Sequence, residues 1–164
     1  MPTWNAITIA RACRAGLAAL TLVILSASLA SAEFGPRITI GNNYQQWSNT
    51  QSNTPFSSDC DFQTFCLVMF EPIPQQRPLI VQHVACRVNV SAGSLHFARL
   101  GNLKGSAYVD NYAYLVPVST TGTWWAVNSP VTHLIKSGER PFLWFSNSLN
   151  TGWVIDCSIS GTLQ

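Results

Sequence analysis

The sequence predicts an all-β fold, a two-sheet antiparallel β-sandwich of jelly-roll-like form, preceded by a cleavable signal-peptide helix. Three observations predict it. Beyond residue 32 the chain is rich in Val, Ile, Phe, Tyr and Trp, which suit pleated, half-buried surfaces. It holds almost no run of the Ala, Leu, Glu and Lys that helices prefer. About nine short apolar or alternating segments recur at roughly ten-residue spacing, set apart by turn residues.

The N-terminal segment has the three parts of an export signal in order. Arg11 and Arg14 make a positive start, and no acidic residue precedes Glu33. An apolar stretch from Gly16 to Leu29 ends in Ala30-Ser31-Ala32, a small-x-small site, so cleavage is expected after Ala32. A helix of about 15 residues covers about 22 Å, short of a hydrocarbon core about 30 Å thick. The sequence therefore divides into a signal peptide (1–32), an N-terminal strand with a polar arm or loop (33–58) and a β-sandwich core domain (59–164). The expected location is periplasmic or extracellular, with no stable membrane insertion of the mature chain.

Removing the signal changes the charge. The mature chain keeps seven basic and seven acidic residues, with no charge run. Nucleic acid is excluded as a partner, because binding there rests on clustered Lys and Arg. Cys13 leaves with the signal, and Cys60, Cys66, Cys86 and Cys157 remain. An even number in an exported chain reads as disulfides. Cys60 and Cys66 flank a polar turn. Cys86 is in phase with Val84 and Val88, and Cys157 with Ile155 and Ile159, so both point to the core side. Pairing Cys60 with Cys66 and Cys86 with Cys157 closes loops worth roughly 2.4 and 4.4 kcal/mol in the chain-entropy model. No Cys-x2-Cys pair suggests zinc.

The elements follow in order. Arg37–Ile40 is a short first strand. Gly41–Ser58 is polar without apolar period and reads as a long loop, or as an arm pinned by Tyr44, Trp47 and Phe56. Phe65–Glu71 is a short buried strand, and the prolines of Pro72–Pro78 bar a central strand there. Leu79–Val90 alternates clearly. Ser94–Leu100 is a strand, and Gly101–Gly105 a turn. Ala107–Val118 alternates with Tyr112, Tyr114, Val116 and Val118 in phase. Thr123–Asn128, Val131–Lys136, Pro141–Ser146 and Trp153–Ser160 complete the set.

The search for chemistry finds no nucleophile elbow, zinc-protease helix, phosphate loop or EF-hand. His83, His96 and His133 lie on three different strands and are the candidates for a three-histidine metal site, weighed against three unrelated strand residues. Asp110 and Asp156 are the candidates for a glycosidase pair, which needs two carboxylates across a cleft. Asp59 and Asp61, beside Cys60, are oxygen ligands that suit calcium, weighed against a solvated turn. No metal, cofactor or catalytic residue is assigned.

The aromatics carry the most information. Adjacent strand residues point to opposite faces, so Trp124 and Trp125 cannot both enter the core of an open sandwich. One must be exposed or covered by a loop. Exposed Trp and Tyr stack on sugar rings, and neighbouring amides add directional hydrogen bonds. Trp124, Trp125, Trp47 and Tyr44 are the candidate ligand-binding residues. The leading expectation is a secreted, non-catalytic binding or surface-interaction module, with a glycan or another extracytoplasmic protein as partner. An extracellular carbohydrate-active hydrolase and a structural subunit assembling through a sheet edge are the alternatives.

Overall fold

Among the described residues, ten antiparallel strands make up the fold: β1 (Phe34–Ile40), β2 (Asn43–Gln51), β3 (Gln63–Met69), β4 (Leu79–Val90), β5 (Leu95–Lys104), β6 (Ala107–Leu115), β7 (Val118–Ser119), β8 (Trp124–Ile135), β9 (Arg140–Thr151) and β10 (Trp153–Leu163). The structure is a computed structural model, and it describes residues 34–51, 60 and 63–164. The expected signal segment, Phe56, Asp59 and Asp61 lie outside the described residues. The strands form a six-stranded sheet, β1-β2-β10-β4-β8-β7, and a four-stranded sheet, β3-β9-β5-β6.

Period-two patterning sets the inner faces. In β4, Val84, Cys86, Val88 and Val90 are buried, while Arg87 between them is exposed. In β10, Trp153, Ile155, Cys157 and Ile159 are buried, and Asp156 is exposed. Their partners across the core include Val68, Leu100 and Phe145 of the smaller sheet. Two sheets closing over one apolar layer constitute a β-sandwich.

The pairing is nested. β2 pairs with β10, β3 with β9, β4 with β8, and β5 with β6. The chain thus doubles back on itself around the β5–β6 turn, where Gly105 takes the left-handed conformation at φ 62° that favours glycine. Two further seams, β10 with β4 and β9 with β5, knit the folded-over hairpin into sheets.

Both expected disulfides are present, Cys60–Cys66 and Cys86–Cys157. The second joins direct register partners on β4 and β10. Among the described residues no helix is long and apolar enough to cross a membrane.

Several element boundaries differ from the sequence expectation. The polar stretch after Gly41 is not all loop: Asn43–Gln51 is β2, between β1 and β10. Its inward residues are Tyr44, Gln46 and Ser48, all buried. Tyr44 and Ser48 make hydrogen bonds there, while the buried Gln46 Nε2 has no hydrogen-bond partner among the described residues. The Tyr44 hydroxyl donates to Gln46 Oε1 at 2.6 Å, and Ser48 Oγ donates to the Met69 carbonyl at 2.6 Å. β5 runs on through Gly101–Lys104, leaving a turn of only Gly105-Ser106. Thr123–Asn128 and Val131–Lys136 form one strand, β8, across Pro130, which sits opposite a register shift in β4. Bulges are where a sheet tolerates proline. The tail of Ala107–Val118 separates as the short β7.

Candidate functional site

Alternation sends every second side chain of the six-stranded sheet away from the core. On β2, β10, β4 and β8 such residues line a groove of about 560 Å³. The registers arrange them in rows. Trp47, Ser158, Ala85 and Asn128 form one row, and Asn49, Asp156, Arg87 and Ala126 the next. Trp124 stands in the following row of β8, opposite Asn89. A diagonal therefore crosses four adjacent strands, from Trp47 through Asp156 and Arg87 to Trp124. With three strand spacings across and four residues along, its ends lie roughly 20 Å apart.

The chemistry along this diagonal is mixed. Ala85, Ala126 and Ser158 are small and leave the floor low between the larger groups. Trp47 keeps 37 % of its surface exposed. The Arg87 guanidinium lies over the Trp124 ring, with Cζ 3.9 Å from the centroid, a stacking that fixes both side chains. Arg87 and Asp156 are register partners, yet among the described residues no ion pair joins them. The Asp156 carboxylate and the Asn49 and Asn128 amides are exposed on the same face. The groove thus combines one flat apolar ring, Trp47, with a carboxylate acceptor, a guanidinium donor and two amides that both donate and accept, and Trp124 stands beyond its lining in the next row.

The four aromatic candidates divide between the two faces. Trp47 and Trp124 belong to the groove face. Trp125 turns inward and packs, half-buried, against the core. Tyr44 is 2 % exposed beneath the sheet. Burial pushes its phenol up to about 12, with Arg37 lowering and Glu71 raising it to a smaller extent. Sequence reading did not single out Asn49, Arg87 or Asn128. The outward phase of Arg87 and Asp156 was legible, but their adjacency depends on the pairing of two strands remote in sequence.

The remaining candidates are dispersed. His83 is half-buried on β4, His96 is exposed on β5, and His133 is buried on β8. Among the described residues no three His, Cys, Asp or Glu side chains form a group able to hold a metal. Asp110 and Asp156 belong to different sheets.

His133 instead belongs to a buried strut between the sheets. Its Nε2 lies 3.3 Å from Asn102 Oδ1 on β5. Asn102 Nδ2 donates to Glu139 Oε2, which also accepts from the Lys136 backbone N–H at 3.1 Å. Burial pulls the His133 pKa below its ordinary value, and the Glu139 charge opposes this in part. The strut is closed to solvent and shares no residue with the groove.

No protein-family model matches this sequence, and comparison with curated proteins finds no match.

Proposed function

We propose that this chain is an exported, non-catalytic binding module that seats a glycan in the outer-face groove of its six-stranded sheet. The observation that carries the reading is the diagonal of Trp47, Asp156, Arg87 and Trp124. Aromatic faces stack on the apolar faces of sugar rings. An unpaired carboxylate accepts hydrogen bonds from hydroxyls, and the Arg87, Asn49 and Asn128 donors meet the sugar oxygens. The roughly 20 Å between the two indoles exceeds one ring, so the ligand class is an oligosaccharide or an extended polysaccharide.

Export with cleavage after Ala32 belongs to the same reading. The two disulfides suit an oxidising compartment. The nested pairing and the strand order of the two sheets support a jelly-roll winding, an architecture also used by sugar-binding lectin domains.

The test is tryptophan fluorescence and calorimetry of the mature protein against a panel of neutral and acidic oligosaccharides of increasing length. Binding is expected to strengthen with length. Trp47→Ala and Trp124→Ala should each weaken it about tenfold or more, given about 1–3 kcal/mol for each lost stacking contact by analogy with base–aromatic stacking. Trp125→Phe, on the inner face, should leave it unchanged. A flat response across the panel rules the proposal out.

A further inference from the structure

Arg87 stands on β4 with two alternative partners on the same outer face. Asp156 of β10 is its direct register partner on one side, and Ala126 of β8 on the other. Trp124 is the next outward residue of β8 beyond Ala126, so it lies diagonal to Arg87. Side chains directly opposite start about 5 Å apart and diagonal ones about 7–8 Å, both within reach of a long side chain. Ala126 offers no bulk, and the Arg87 guanidinium leans past it onto the Trp124 ring, with Cζ 3.9 Å from the centroid. The Asp156 carboxylate is left exposed, and among the described residues no ion pair reaches it.

The guanidinium cannot occupy both seats. Arg87 lines the groove, whereas Trp124 stands beyond the lining, so the guanidinium covers the side of the indole that looks into the groove. A sugar ring and the guanidinium compete for that side. An exposed cation–π contact and an exposed ion pair are worth about the same. The two seats are therefore close in free energy, and a ligand that fits only one arrangement tips the balance.

We propose that Arg87 is a gate that makes the groove selective for chain length, an inference that rests on the glycan reading of the groove. In the free chain Arg87 caps Trp124. A short oligosaccharide seats on Trp47, beside Asn49, Ser158 and Asp156, and leaves the gate shut. A chain that spans the roughly 20 Å to Trp124 displaces the guanidinium, which swings to Asp156 while the indole takes up the far sugar. The ligand gains its second stacking contact together with a new ion pair, or gains neither. Asp156 is thus the seat that holds the gate open.

The test is nuclear magnetic resonance of the isotope-labelled, mature, disulfide-bonded chain, titrated with neutral and acidic oligosaccharides from disaccharide to hexasaccharide. In the free chain the Trp124 ring current should shift the Arg87 side-chain protons upfield. Disaccharides should perturb Trp47 and leave that shift in place, and the longer chains should abolish it. The affinity ratio of hexasaccharide to disaccharide should fall roughly tenfold in Trp124→Ala. It should fall comparably in Asp156→Asn, and no further in the double variant. Far-UV circular dichroism confirms that the variants are folded, and the titration of the parent chain carries the test where one is not. Three outcomes overturn the gate alone: no upfield shift in the free chain, a shift that survives the hexasaccharide while Trp47 responds, or additive losses in the double variant. A panel without any Trp47 response refutes the glycan reading, and the gate with it.

Discussion

His133 shows how one side chain ties the two sheets to pH. It is 4 % exposed and hydrogen-bonded through Asn102 toward Glu139. Because burial disfavours its charged form, its folded pKa lies below the ordinary value of 6.5. The unfolded chain then takes up a proton that the folded chain does not. Stability is full above pH 6.5 and is lost as pH falls below that toward the folded pKa. Urea unfolding at pH 7.5 and at pH 5 should show this loss, and His133→Gln should reduce it. An equal loss in that variant refutes the assignment. The Trp124–Trp125 pair teaches the complementary lesson. Alternation alone requires that one of them face outward. Which one was left open, and the structure turns Trp125 inward, in phase with the buried Val127. The positions of Asn49 and Asn128 were not legible, because nothing local marks an exposed amide as lining a groove.

At the scale of elements, hydrophobic period succeeded where burial is apolar and failed where it is polar. β4 and β10 were plain from their valines and isoleucines. β2 was missed because its inward row is Tyr44, Gln46 and Ser48, so that no run of aliphatic residues marks its period. β8 was split because proline inside an alternating run normally ends a strand, and only the register shift opposite it keeps β8 whole. The last strand carries a comparable device at Gly161, beside a register shift against β4. A Cβ there would stand 2.0 Å from the Ile80 carbonyl oxygen. Backbone cannot yield as a flexible side chain does, so Gly161→Ala should cost about 1–3 kcal/mol or more. It should lower the melting temperature visibly, and an unchanged melting temperature would show that β10 shifts freely.

At the scale of the molecule, the sandwich was legible because strand number, turn spacing and cysteine phase all agreed. Sheet order was not, since it depends on which remote strands meet. Removal of the long-range disulfide is the informative perturbation. In the chain-entropy model, a bond closing 71 residues of separation contributes about 4.4 kcal/mol, against roughly 2.4 kcal/mol for the bond closing 6. The double variant Cys86→Ser/Cys157→Ser should therefore lose more stability to denaturant than Cys60→Ser/Cys66→Ser, and the reverse order would refute that account. The position of the long bond matters as much as its span. The four nested pairs can form by zipping outward from the β5–β6 turn, each new rung lying next to the last. The seam of β4 with β10 is not one of those rungs. It forms only when the zipped ribbon curls and its outer end reaches its own interior. Cys86 and Cys157 are the cysteines that meet there, so their oxidation is a timestamp. Trapping thiols during refolding would mark the moment at which the ribbon has become a closed roll.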